Sequence, residues 1–299
     1  MNTPPTLRSY FVMQSEKPKR ILRAAHLGMC FGVRDAIALA VSQARERPLT
    51  ILGQLVHNEG VVADLLARGI RIEDQAARVE TATVMVTAHG ASEKALARAR
   101  DRGLEVLEAT CPLVHYAHKA VARLVADGFH PVVIGQRGHV EVRGLTEDLE
   151  AFDVVLTEED VRRLGPHDRI GVAAQTTQPI ERVREMVRFI RAYFPEAEVR
   201  FIDTVCQPTK QRQSAALEMA RESDAVVVVG GAHSNNTREL VASCRACCDR
   251  VFHVQSAADL RPEWFEGANT IGLTAGTSTP DAVIDEVEEW LKTRIEVCV

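Results

Sequence analysis

Residues 104–114 read Leu-Glu-Val-Leu-Glu-Ala-Thr-Cys-Pro-Leu-Val, a strand-like run that ends at Cys111 and is followed by a helix-like sequence. Two other cysteines have the same setting. Cys30 follows the apolar segment 21–27, Cys206 follows the segment 199–205, and helical periodicity comes after both. The three cysteines are 81 and 95 residues apart. This pattern predicts three equivalent positions, each at a strand end or a helix start.

Two sets of polar turns repeat together with these cysteines. The first set lies 27, 28 and 28 residues after them and contains His57, His139 and Ser234. The second set directly follows apolar strands and reads Thr87-Ala-His-Gly, Ala174-Gln-Thr-Thr and Thr274-Ala-Gly-Thr-Ser. Three units of similar length, each with one cysteine and two polar turns, explain the common spacing.

Strand-like and helix-like segments alternate along the whole chain. The strand candidates include residues 83–87, 131–134, 170–173, 225–229 and 270–274. The helix candidates include residues 33–40, 93–102, 117–127, 180–193, 211–222 and 280–292. This alternation predicts an α/β fold with mostly parallel sheets, and right-handed crossovers then bring the strand-to-helix turns to one edge of each sheet. We expect three similar small lobes, formed by residues 31–111, 112–204, and 205–292 together with 20–30.

Composition and charge exclude several classes of protein. The net charge of −5 gives no basic surface for nucleic acid, and the longest strongly apolar stretch, residues 225–231, is too short to cross a membrane. Residues 1–19 are polar and lack the apolar core of a signal peptide, so we expect a disordered extension, a short tail at 293–299 and a cytoplasmic protein. Seven cysteines in such a chain favour metal or redox chemistry over disulfides.

Three cysteines that converge from three lobes match an iron–sulfur cluster. A [4Fe–4S] cluster normally takes four cysteines, so three ligands leave one iron open to substrate. Such an iron can act as a Lewis acid while the cluster supplies electrons. Three buried apolar thiols explain the spacing equally well, because free cysteine is often buried.

The polar turns predict a site for a phosphate or diphosphate. Free N–H groups at helix starts attract anions, and imidazole, hydroxyl and amide donors add to them. Serine, threonine and asparagine are also ordinary helix caps, whereas histidine is not a preferred cap. The histidines therefore favour an anion site; the candidate residues are His57, His89, His139, Thr176, Ser234, Asn236 and Ser278.

Glu141 is the carboxylate nearest this group of turns. A carboxyl group in a closed pocket has a raised pKa and can donate a proton, whereas a solvated carboxylate beside Arg143 would not. The run Cys244-Arg-Ala-Cys247-Cys248 lies in a helical pattern and indicates core or surface thiols. His115 and His118 share a helix face that we expect to be solvated.

Eight ordered motifs resemble the 4-hydroxy-3-methylbut-2-enyl diphosphate reductase family of isoprenoid precursor biosynthesis. They cover nearly the whole chain beyond residue 20, and the most telling is Ala109-Thr-Cys-Pro-Leu-Val. The others are Cys30-Phe-Gly-Val, Val56-His-Asn, Ala88-His-Gly, His139-x-Glu-Val-x-Gly, Gln175-Thr-Thr, Ser234-x-Asn-Thr and Thr274-Ala-Gly-x-Ser-x-Pro.

This resemblance implies a trefoil of three lobes around a [4Fe–4S] cluster that Cys30, Cys111 and Cys206 ligate, with one open iron. The reaction would be a reductive dehydration with two electrons and two protons, giving isopentenyl and dimethylallyl diphosphate. A ferredoxin or flavodoxin-type partner would supply the electrons. Glu141 would relay protons, Thr176 would orient the substrate hydroxyl group, and His139 would donate near the substrate. The diphosphate would be bound by His57, His89, Ser234, Asn236 and Ser278.

The sequence departs from the family pattern at several positions. Val140 replaces the proline of the usual His-Pro-Glu, which frees the backbone beside Glu141. Met29 replaces an aromatic residue, and Gln207-Pro-Thr follows Cys206 where x-Ala-Thr is usual. His233 and Asn235 replace Asn and Ser, although Asn235 can still donate a hydrogen bond to the diphosphate.

Alternative functions stay open at this point. A divergent paralogue or an iron–sulfur hydro-lyase would act on another small anion, the latter without external electrons. A non-catalytic iron–sulfur sensor would need neither Glu141 nor Thr176. A zinc site with three cysteines fits the wide spacing least well.

Overall fold

The computed structural model describes residues 20–294, which form three four-stranded sheets with helices packed against them. Every strand pair in these sheets is parallel. The predicted α/β class with three similar lobes is therefore confirmed. The predicted N-terminal extension, residues 295–299 of the predicted tail and Cys298 lie outside the described residues.

The first lobe is the sheet with spatial order β3-β2-β4-β5 and its helices. Its strands are β2 (Leu49–Leu52), β3 (Arg71–Glu73), β4 (Thr83–Val86) and β5 (Glu105–Glu108). Its helices are α1 (Phe31–Glu46), α2 (Glu59–Ala67) and α3 (Glu93–Asp101). Ile51 and Met85, on the two central strands, are fully buried in its core.

The second lobe has the same spatial order, β7-β6-β8-β9. Its strands are β6 (His130–Ile134), β7 (Asp153–Val155), β8 (Arg169–Ala174) and β9 (Glu198–Phe201). Its helices are α4 (Pro112–Ala126), α5 (Val140–Thr146), α6 (Glu158–Arg162) and α7 (Ile180–Tyr193).

The third lobe has the order β11-β10-β12-β1, so the first described strand closes the sheet of the last lobe. Its strands are β1 (Arg20–Arg23), β10 (Ala225–Val229), β11 (Val251–Val254) and β12 (Thr270–Ala275). Its helices are α8 (Gln207–Arg221), α9 (Asn235–Arg245) and α10 (Asp281–Arg294). The Ala-Val-Val-Val-Val run of β10 is buried throughout, as β-branched side chains in a doubly covered strand should be.

Helices α4 and α8 begin several residues earlier than predicted. Helix α4 begins at Pro112 instead of residue 117, and α8 begins at Gln207 instead of residue 211. Proline is tolerated in the first helical turn because its missing N–H has no intrahelical partner there. Pro112 and Pro208 therefore mark helix starts and place both helices directly after a cysteine.

No helix within residues 20–294 is both long and apolar enough to span a membrane.

Candidate functional site

Cys30, Cys111 and Cys206 occupy equivalent positions in the three lobes. Each follows an edge strand of its sheet, β1, β5 or β9, and caps the N-terminus of a helix, namely α1, α4 or α8. Each cysteine N–H donates to the carbonyl two residues beyond the end of the adjacent strand; the acceptors are Thr277 (3.2 Å), Ala88 (3.1 Å) and Thr176 (3.0 Å). The structure thus joins each cysteine to the second polar turn of its own lobe.

The three thiols share one region of the molecule. A Cβ atom on Gly32 would lie 2.7 Å from Cys111 Sγ, so the first turn of α1, beside Cys30, packs on the second thiol. Burial raises the pKa of Cys111, and it raises the pKa of Cys206 to about 11; the charge of Cys30 adds to both shifts.

This donor set fits a soft metal. The six cysteines within residues 20–294 are free, and helix N-termini stabilise thiolates. A buried thiol with a raised pKa loses its proton most readily when a metal cation takes the place of that proton. Thiolate ligands favour iron–sulfur clusters, copper or zinc.

Arg212 joins two of the cysteine segments. This buried side chain donates from Nε to the carbonyl of Gly28 (2.9 Å) and from Nη1 to the carbonyl of Pro208 (3.1 Å). Gly28 precedes Cys30 by two residues and Pro208 follows Cys206 by two, so one guanidinium ties both cysteines' backbones together. The positive charge of Arg212 is also opposite in sign to the charge of a thiolate. A lone arginine in a helical segment has no distinctive spacing, and we did not predict it from the sequence.

Three predicted histidines form a compact cluster. The ring centroids of His57, His89 and His139 lie 5.3, 5.6 and 5.7 Å apart, although the three residues come from two lobes. Burial is the main cause of their lowered pKa values, and neighbouring positive charge adds to it; the pKa of His89 falls to about 3 and that of His139 to about 4. All three imidazoles are therefore neutral at pH 7 until an anion binds.

Hydrogen bonds assign the ring protons of two of these histidines. The backbone N–H of Glu141 donates to Nδ1 of His139 (3.2 Å), which leaves its proton on Nε2. Gln54 Oε1 lies 3.4 Å from Nδ1 of His57 and favours a tautomer with the proton on Nδ1. Nε2 of His57 then carries a lone pair.

Unpaired polar atoms concentrate among the predicted diphosphate-binding residues. Buried side-chain atoms with no hydrogen-bond partner among the described residues include His57 Nε2, Asn235 Nδ2, Asn236 Nδ2 and Ser278 Oγ. The backbone N–H of Thr277 donates to Asn236 Oδ1 (2.9 Å). The NH₂ group of Asn236 is left as a buried donor without a partner among the described residues. A buried unpaired donor costs free energy, so such a cluster indicates a missing anionic ligand.

Ser234 and Thr176 also lie in this arrangement. Ser234 caps α9 by accepting from the Thr237 N–H (3.4 Å), and its own hydroxyl proton is still able to reach an anion. Thr176 is buried at the end of β8, where its backbone carbonyl holds Cys206.

Glu141 is a buried acid rather than a solvated loop carboxylate. Its side chain is in the first turn of α5, and its residue is only 1% exposed. Oε1 accepts from the Thr176 N–H at 2.6 Å, yet burial dominates and raises the pKa of Glu141 to about 7. The acid lies near Cys206, because Thr176 donates its N–H to Glu141 and accepts at its carbonyl from the Cys206 N–H.

The replacement of proline by Val140 does not release Glu141. Val140 is the first residue of α5, a position at which proline and other residues have the same backbone conformation. The helix and the Thr176 N–H fix the direction of the Glu141 side chain. The backbone beside Glu141, which we expected Val140 to free, is therefore held in the first turn of α5.

Other sequence expectations have mixed outcomes. Cys244 and Cys248 are core residues packed against α8 and the third-lobe sheet, as predicted. His115 is exposed, but the expectation that His118 is solvated is wrong. His118 Nε2 is buried, has no partner within residues 20–294, and faces Gly90 and Gly144 at the seam between the His89 turn and α5.

Thr177 is a residue that sequence reasoning missed. It lies three residues beyond the end of β8, whereas His89 and Ser278 lie three residues beyond the ends of β4 and β12. The strand ends, once known, reveal this equivalence, whereas the sequence pattern predicted the preceding threonine, Thr176.

A cleft of about 1510 Å³ borders the histidine cluster. Its lining includes His57, His139, Arg143 and Arg238. Five arginines and three carboxylates line this cleft, so guanidinium groups outnumber acids along the route that a small anion would take to the unpaired donors.

Comparisons with known proteins agree with this geometry. The LytB protein family model matches residues 21–292. A 4-hydroxy-3-methylbut-2-enyl diphosphate reductase of Anaeromyxobacter sp. (strain Fw109-5) is 39% identical over 89% of this chain and 94% of its own length. The protein of the same name from Aquifex aeolicus is 36% identical over 93% and 96% of the two chains.

Solved structures are similar over the same range. The structure of E-1-hydroxy-2-methyl-but-2-enyl-4-diphosphate reductase from Plasmodium falciparum matches with a TM-score of 0.85 and 26% identity, covering 91% of this chain and 87% of that one. A second structure, of (E)-4-hydroxy-3-methyl-but-2-enyl diphosphate reductase, has a TM-score of 0.66 and 34% identity, covering 91% and 98%. The chain, with its three helix-capping cysteines and its cluster of unpaired donors, belongs to the LytB protein family.

Proposed function

We propose that this chain is an oxidoreductase that converts 4-hydroxy-3-methylbut-2-enyl diphosphate to isopentenyl and dimethylallyl diphosphate. The observation that carries the proposal is the meeting of three features in one region: equivalent free cysteines, buried unpaired donors, and a buried acid with a pKa near neutrality. Its named relatives, which match along nearly their full length, support the same substrate.

Cys30, Cys111 and Cys206 would hold a [4Fe–4S] cluster with one iron free of protein ligands. The fit rests on their helix-capping positions and on Gly32, which leaves room for the Cys111 thiol. When bound, such a cluster supplies electrons and a Lewis-acidic iron. We infer that the electrons come from a ferredoxin or flavodoxin-type donor.

The diphosphate would occupy the place toward which the unpaired donors are directed. Asn235, Asn236, Ser234 and Ser278 offer neutral donors from the third lobe, and His57, His89 and His139 offer imidazoles from the other two. These side chains are already held in place, so diphosphate binding would require little rearrangement of them.

Glu141 would hold a proton for the reaction. Because its pKa is about 7, a large share of the carboxyl groups is protonated at neutral pH, and burial excludes water from the transfer. Thr176 fixes Oε1 through its N–H and, by its position beside Cys206, would orient the substrate hydroxyl group. The balance is one substrate, two electrons and two protons to one product and one water.

The test is turnover by anaerobic, cluster-loaded protein given the hydroxylated C5 diphosphate and a chemical reductant. We expect isopentenyl and dimethylallyl diphosphate, and no conversion without reductant. Conversion without reductant would favour a hydro-lyase, and no conversion by fully loaded protein would overturn the proposal.

We also propose that the enzyme works in the cytoplasm. The cysteines of the described chain are free, and ligand thiols must stay reduced to bind iron.

A further inference from the structure

A second group of potential metal ligands lies on the second lobe. His130 begins β6, Asp153 begins β7, and His167 lies in the turn just before β8. These are the amino-terminal ends of the strands, whereas Thr176 and His139 follow the carboxyl-terminal ends. Strands of five or six residues separate the two edges by roughly 16–20 Å. The group is therefore distinct from the cysteine centre.

The three side chains already face one another. Nε2 of His130 lies 2.8 Å from Oδ2 of Asp153, and the rings of His130 and His167 stack with centroids 3.7 Å apart. One potential ligand atom from each residue lies within 4.8 Å of those of the other two. Two ligands about 2.0–2.1 Å from a tetrahedral zinc ion are roughly 3.3 Å apart. His130 and Asp153, now hydrogen-bonded at 2.8 Å, would therefore need to separate by only about 0.5 Å to bind one ion.

The chemistry of the three groups suits a borderline cation. A neutral imidazole has one ring nitrogen with a lone pair to donate to a metal ion. Two imidazoles and one carboxylate form a ligand set typical of zinc, and the partial exposure of Asp153 leaves room for water as a further ligand. The stacked ring of His167, which is carried by a turn, would rotate to point its nitrogen at the ion.

We propose that His130, Asp153 and His167 bind one divalent ion of the zinc class. The ion would join β6, β7 and the turn before β8, and so stabilise the edge of the second lobe that is remote from the reaction.

Zinc titration of the cluster-loaded, chelator-washed protein by calorimetry tests this site. We expect one zinc ion per chain and a higher melting temperature with zinc. His167→Ala, a turn substitution, and the isosteric Asp153→Asn should each weaken zinc binding by at least about tenfold, since even loss of a group that only supports a ligand costs that much.

Two control variants separate this site from other possible zinc ligands. Cys247→Ser removes a thiol of the α9 region, and His57→Ala breaks the histidine cluster of the main site; both should bind zinc as the unsubstituted protein does. The proposal is overturned if the loaded protein binds no zinc, if both His167→Ala and Asp153→Asn bind it normally, or if either control abolishes binding.

Discussion

Burial, and not the residue type alone, gives Glu141 its raised pKa. Most glutamates within residues 20–294 are exposed, whereas Glu141 is buried in α5 with one strong partner, the Thr176 N–H. Desolvation exceeds the effect of that hydrogen bond and raises the pKa to about 7. The side chain is thus suited to donate a proton at neutral pH.

Replacing Glu141 by Gln should lower kcat by about 100-fold or more, because glutamine keeps the shape but has no proton to give. Activity of the unsubstituted protein should fall as pH rises above about 7, since the acid then loses its proton. The matched control is Glu147→Gln, a half-exposed glutamate that pairs with Arg98. Full activity of Glu141→Gln with intact cluster absorbance would remove the proton-donor role.

His57 should take up a proton when diphosphate binds. Its Nε2 carries a lone pair in the favoured tautomer, and an anion accepts a hydrogen bond only if that nitrogen is protonated. We expect calorimetry of inorganic diphosphate binding in buffers of different ionisation enthalpy to show about one more proton taken up by the unsubstituted protein than by His57→Asn. Equal proton uptake by the two proteins would contradict the assignment.

At the scale of elements, most residues of the site are positioned at the N-termini of helices. Cysteines cap α1, α4 and α8, His139 caps α5, and Ser234 caps α9. The sequence pattern located these starts only to within a few residues where proline follows the cap. The predicted helices began at residues 117 and 211, although Pro112 and Pro208 are compatible with the first turn of a helix.

Val140→Pro should raise the free energy of unfolding by about 0.4–1 kcal/mol, because proline restricts the unfolded chain at a position whose native conformation it can adopt. The preceding His139 has φ −60° and ψ 140°, which suits a residue before proline. Chemical denaturation measures the change. A clear loss of stability would mean that the first turn of α5 does not have the conformation described.

Arg212→Met should destabilise the cluster-free protein by about 1–3 kcal/mol, since it leaves the buried Gly28 carbonyl unpaired. The control Arg20→Met removes an exposed ion pair with Glu222 and should change stability by less than about 1 kcal/mol. Denaturant midpoints compare the two variants. Similar small effects would show that Arg212 does not fasten the two cysteine segments together.

At the scale of the whole molecule, the pseudo-threefold repeat explains how distant residues meet. Equivalent strands of three sheets end beside Cys30, Cys111 and Cys206, so residues 81 and 95 positions apart in sequence share one centre. Similar spacing predicted three equivalent positions, because each lobe repeats the same order of strands and turns, but it left buried thiols as an equally good explanation.

Features that depend on contacts between residues far apart in sequence were not predictable from spacing. Arg212 reaches Gly28 across 184 residues, and Nε2 of His118 is buried beside Gly90 and Gly144; neither contact leaves a periodic pattern. The equivalence of Thr177 to His89 and Ser278 became visible only when the observed strand ends aligned the three turns. The lobe limits at residues 111/112 and 204/205 stay predictions.

Iron and sulfide analysis of anaerobically purified protein tests the central claim most directly. We expect about four irons and four sulfides per chain in the unsubstituted protein and in Cys247→Ser, and loss of the cluster in Cys30→Ser, Cys111→Ser and Cys206→Ser. Colourless protein that contains only zinc, or a cluster that survives all three substitutions, would contradict the assignment of these cysteines.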